Sequence, residues 1–166
     1  MSVMPPVTNR ETDVEIPNRA FSSWTEAGKP RQLRRPLTAD ERAALEDRRD
    51  ELVPVVAPFL AGQQSDRVAL ALLDMYGAYT SMRGGEDEAA ARVDAVLRLL
   101  EEWPAWAIIK ACNAIRRNGV WRNGKFDRQW PPSEPELVDA VRKEAALYRD
   151  TYDRCVALLT ATVEAA

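Results

Sequence analysis

Arg116-Arg117-Asn118-Gly119-Val120-Trp121-Arg122-Asn123-Gly124-Lys125-Phe126-Asp127-Arg128-Gln129-Trp130-Pro131-Pro132 breaks an otherwise helical pattern. Asn-Gly is the strongest two-residue turn signal, because both residues tolerate the positive φ of a type I′ hairpin turn. A hairpin over about 119–128 follows, with Arg122 facing Lys125 and Trp121 facing Phe126. Five cations (Arg116, Arg117, Arg122, Lys125 and Arg128) surround the two aromatics. Such an arm puts an aromatic pair on one face and cations on the other, which suits phosphates or bases.

Outward from this wing the pattern is helical on both sides. Trp106, Ile108, Ile109, Cys112 and Ile115 mark the buried side of a helix over Ala105 to Arg117, started after Pro104. Upstream, Val93, Val96, Leu97 and Leu100, with Ala89, predict a helix from about Asp87 to Glu102, its first turn rich in acids. Val68, Leu72, Met75, Tyr79 and Met82 repeat at four-three spacing and predict a helix from Ser65 to Gly84-Gly85. Thr38-Ala39-Asp40-Glu41 has capping-box spacing and starts a helix over Ala44, Leu45, Arg48, Arg49 and Leu52, expected to end near Val53 before Pro54.

Downstream, Pro131-Pro132 followed by Ser133-Glu134-Pro135-Glu136 opens the last helix. Leu137, Val141, Ala145, Tyr148, Tyr152, Cys155, Leu159 and Thr162 predict one seam to the chain end. That seam either packs on the bundle or forms a homodimer through the C-terminal helix. The fold class is therefore all-α: a bundle of about five helices with one inserted β-hairpin before a long C-terminal helix. Residues 1–36, with five prolines and no periodicity, form an expected flexible arm preceding a helical domain of 37–166. In that arm Phe21 and Trp24 are either a docking segment or part of a plain leader.

The 166 residues carry a formal net charge of −3, unevenly spread. Residues 37–102 hold seven bases against fourteen acids, whereas 103–131 hold six bases and Asp127 alone. Positive charge thus gathers at the wing, on a body whose acidity opposes indiscriminate adhesion to nucleic acid. Cys112 and Cys155 sit in apolar helical patterns, and no apolar run approaches the ~20 residues that cross a bilayer. Buried thiols, no membrane association and a cytoplasmic location are the expectations.

The chain contains no histidine, which removes His-based triads, His metal sites and imidazole acid–base pairs. Neither a Gly-x-x-x-x-Gly-Lys loop nor a Gly-x-Gly-x-x-Gly turn is present. Acids such as Glu86-Asp87-Glu88 and Glu101-Glu102 sit at helix ends, where the macrodipole or solvent explains them. No enzyme activity, cofactor or metal is expected. Trp103, Trp106 and Trp130 are read as core or corner residues, while Trp121 and Phe126 are either contact or packing residues.

The order Trp103-Pro104-Ala105-Trp106-Ala107-Ile108, a polar linker, then Trp130-Pro131-Pro132-Ser133-Glu134-Pro135-Glu136-Leu137 resembles small helical proteins of phages and prophages. Within these it is similar to the replicative-helicase loader or loader-inhibitor class, over about residues 75–140. The resemblance implies a non-enzymatic accessory or regulatory protein in DNA replication, with a helicase or another nucleic-acid-processing enzyme as protein partner. Direct nucleic-acid binding would use Arg116, Arg117, Trp121, Arg122, Lys125, Phe126 and Arg128. The alternative is an inhibitor whose acidic helical surface, drawn from 37–102, occupies a partner's nucleic-acid site.

Overall fold

Side-chain caps set where the first and last helices begin, reciprocal at Thr38 and Glu41 and one-way from Ser133 to Glu136. The computed structural model describes residues 33, 35–59, 65–79 and 85–163. The expectations for Phe21, Trp24 and most of the arm, and for Met82 and Gly84, lie outside these residues. Five helices are described: α1 Ala39–Val56, α2 Ser65–Gly77, α3 Gly85–Leu100, α4 Ala105–Asn118 and α5 Glu134–Thr160. Strands β1 Val120–Arg122 and β2 Lys125–Asp127 form one antiparallel hairpin between α4 and α5. The architecture is the all-α bundle with an inserted wing that the patterning predicts.

The described residues fall into two compact units, one of Ala57–Ala146 and the other of 33–56 with 147–163. In the first unit α2 packs against both α3 and α4. Val68, Leu72, Met75 and Tyr76 of α2 are buried with Val93, Val96 and Leu100 of α3, Ile108, Cys112 and Ile115 of α4, and Leu137, Val141 and Ala145 of α5. Ala107 and Ala111 complete the inner side of α4, while Trp106 and Ile109, expected inside, are half-buried at its margin. Small residues there let neighbouring helices approach closely, which leaves the bulkier side chains at the rim. Burial pushes the Cys112 thiol up to about 12, and both cysteines are free.

Helix α2 stops at Gly77, short of the expected Gly84-Gly85. Its end is closed by the Ala78 and Tyr79 amides, which donate to Met75 and Tyr76 at 3.2 and 3.0 Å. Tyr79 is therefore buried from beyond the helix rather than from its stripe. After α3, Trp103 donates its amide to Leu100 and accepts from Phe59, both rings being buried in the same core. Pro104 then caps α4 in an extended conformation, its carbonyl receiving the Ala107 amide at 3.0 Å.

The second unit buries Leu33, Leu45, Cys155 and Leu158 together. Leu33, assigned by the sequence reading to the arm, pairs with Val163 as an isolated parallel bridge, its amide donating to Thr162 at 2.9 Å. Helix α1 opens with the expected capping box: the Glu41 amide donates to the Thr38 hydroxyl at 3.2 Å, and the Thr38 amide to the Glu41 carboxylate at 2.9 Å. Arg35 adds a two-pronged hydrogen bond to the same carboxylate at 2.7 and 2.8 Å, which with the Thr38 bond holds Glu41 down at about 2.

Pro54 does not end α1, which continues to Val56. Proline removes one backbone donor but its ring fixes a φ compatible with the helix, and one more turn keeps Val55 buried beside Leu52. In α5, 27 residues long and so about 40 Å, the buried line passes through Leu137, Val141, Ala145, Thr151, Cys155 and Leu158. The expected Tyr148, Tyr152 and Leu159 are half-buried beside it, and Thr162 lies past the helix end. Among the described residues no helix is long and apolar enough to cross a membrane.

Candidate nucleic-acid interface

The wing leaves α4 through Gly119, whose amide donates to Ile115 at 2.7 Å and whose φ is +86°. A Cβ at this position would lie 2.2 Å from the Asp127 carbonyl oxygen, so the close approach of β2 requires glycine. Asn123 and Gly124 take φ of +50° and +79°, the two positive values that the tight hairpin turn needs. The register is Val120↔Asp127, Trp121↔Phe126 and Arg122↔Lys125, as the Asn-Gly turn predicts.

Alternation along such short strands gives the hairpin two chemically different faces. Val120, Arg122, Lys125 and Asp127 share the inner face, where Val120 is buried, Arg122 is only 24% exposed and Lys125, next to the turn, is exposed. The Arg122 guanidinium donates to both Glu136 oxygens at 2.6 Å, to Asp127 Oδ2 at 2.9 Å, and to the Trp130 and Pro131 carbonyls at 3.3 and 2.9 Å. All five of its N–H donors are thereby occupied within the protein. These bonds to Glu136 hold that carboxyl down at about 2 and raise the arginine further above its usual range. Glu136 also accepts from the Ser133 amide and hydroxyl, each at 2.8 Å. A single carboxylate therefore starts α5 and anchors the wing.

The outer face carries Trp121 and Phe126, 62% and 57% exposed, with ring centroids 5.0 Å apart and planes at 75°. This edge-to-face arrangement leaves both rings open to solvent. Trp130, expected in a core or corner position, is also 56% exposed; its backbone is held, the amide by Asp127 and the carbonyl by Arg122, while its ring is left in solvent. Trp103 is buried, as expected.

The remaining cations divide by their partners. Arg117 donates through Nε to the Asn113 carbonyl at 3.2 Å, and Arg128 donates to the Arg117 carbonyl, tying the wing's exit to the end of α4. Lys110, counted in the basic stretch, pairs with Glu144 at 2.8 Å. The Arg116 and Lys125 side chains are exposed and make no hydrogen bond or ion pair among the described residues.

Three residues of this assembly carry no role at the wing in the sequence reading: Asp127, Glu136 and Tyr79. The register alone places Asp127 diagonally from Arg122 on one face, a relation that favours opposite charges. Glu136 is legible as a cap but not as an anchor, since its second partner is fourteen residues away. Tyr79 is buried within the field of Arg122, Asp127, Arg128 and Glu136, and burial raises its phenol above the usual value. Among the described residues, no group of three or more acids or cysteines converges as a metal site would. The chain matches no family model, no curated protein and no solved structure.

Proposed function

We propose that this is a non-enzymatic accessory or regulatory protein, of the kind met in phage replication systems, that engages nucleic acid or a nucleic-acid-processing complex through the outer face of its wing. The exposed Trp121–Phe126 pair carries the reading. Two large rings held in solvent on a turn braced by five hydrogen bonds form a presented surface, because unbraced apolar side chains gain stability by collapsing onto a core. Arg116 and Lys125, with the remaining donors of Arg117 and Arg128, supply the positive surroundings that attract phosphate. Arg122 contributes by bracing rather than by contact.

A protein-interaction inhibitor is the second reading, supported by the exposed acids Asp40, Asp47, Asp50 and Glu51 along α1. Charge reversal separates the two. Arg116→Glu with Lys125→Glu removes cations that support no internal bond, so the fold survives. It weakens nucleic-acid binding under the first reading and leaves capture of a helicase, nuclease or polymerase subunit intact under the second. Capture from host lysate before and after nuclease treatment is the complementary measurement.

A further inference from the structure

We infer that the ligand of the wing's outer face is single-stranded nucleic acid, held by base stacking with few phosphate contacts; this rests on the nucleic-acid reading proposed above. Two observations carry it. The first is the type and exposure of the outer-face pair: Trp121 and Phe126 offer ring faces and no hydrogen-bonding group beyond the indole N–H. In a duplex the bases cover one another's faces and show only their edges in the grooves. Ring faces therefore find partners among unpaired bases, on which aromatic side chains stack without regard to sequence.

The second observation is the small number of cations left over. Arg122 spends all five donors internally, Lys110 is paired with Glu144, and Arg117 and Arg128 each commit one donor. Among the described residues of the wing and the last turn of α4, four side chains (Arg116, Arg117, Lys125 and Arg128) keep donors for phosphates. Non-specific duplex binding draws almost wholly on phosphate neutralisation, so a surface with few free cations holds a duplex weakly. The wing is thus too poor in free cations to track a duplex and equipped with the rings that a single strand rewards.

The test uses the full chain and labelled oligonucleotides of about 15 nucleotides, oligo-dT and oligo-U beside a blunt duplex of equal length, followed by fluorescence anisotropy. Expected are single-strand dissociation constants at least about tenfold below the duplex value. The log–log salt slope should be no steeper than about −3, from about −0.7 per phosphate. Trp121→Leu with Phe126→Leu keeps an apolar surface but removes the π-faces. Because both side chains are exposed, the variant should melt as the parent does while losing at least about tenfold in affinity. Equal or tighter duplex binding, or full affinity in the leucine variant, overturns the stacking assignment and leaves the wing as a nucleic-acid contact. No binding to any of the three oligonucleotides overturns the underlying reading itself.

Discussion

Arg122 is the residue on which the site turns, because its position on the inner face makes a surface cation into an internal brace. Truncating it to Met leaves Asp127 and Glu136 facing each other without their shared partner. A loss of about 1–3 kcal/mol at neutral pH is expected, the usual range for hydrogen bonds to charged groups. The loss should depend on acidity. Glu136 is lowered from 4.5 to about 2 in the folded state, so its contribution is complete above about 4.5 and fades as the pH falls toward about 2. Denaturant melts of parent and Arg122→Met should therefore differ most near neutrality and converge across that acid window. A constant difference would show that the brace is not electrostatic. Gly119→Ala probes a separate constraint, since its methyl meets the Asp127 carbonyl at 2.2 Å on a positive φ. A destabilisation of at least about 2 kcal/mol is expected by thermal melting, from strain and steric overlap together.

At the scale of elements, the starts of α1 and α5 have chemical causes that can be removed singly. Thr38→Ala deletes the hydroxyl that accepts the Glu41 amide and should cost about 1 kcal/mol, read as a lowered melting temperature. Leu158→Ala, in the buried cluster with Leu33, Leu45 and Cys155, should cost about 2–5 kcal/mol. Helix starts were legible because Thr38-x-x-Glu41 and Ser133-x-x-Glu136 state their hydrogen bonds locally. The wing's register was legible for the same reason, Asn123-Gly124 fixing Trp121 opposite Phe126. Helix ends were less so. Pro54 reads as a stop until the burial of Val55 is known, and the end of α2 at Gly77 depends on Tyr79 turning inward beyond it. The buried line of α5 passes through Thr151 and Leu158 instead of Tyr152 and Leu159, the change falling where the helix leaves one compact unit and enters the other after Ala146, so that different neighbours select the buried side.

For the whole molecule, the charge map in the sequence located the wing but could not sort its cations. Arg122, Lys125 and Arg128 are equivalent letters in a basic stretch, and only the partners supplied by Asp127, Glu136 and the end of α4 distinguish brace, free cation and tie. The same long-range pairing turns the aromatic face outward. On the proposed reading the outer face of the wing, not its arginine brace and not the acidic helix α1, meets the ligand. Ultraviolet cross-linking of the full chain to oligo-dT and oligo-U, with the modified peptide identified by mass spectrometry, reads that contact directly. The cross-link is expected on the peptide carrying Trp121 or Phe126, and a cross-link confined to α1 or to the buried-seam side of α5 would contradict it.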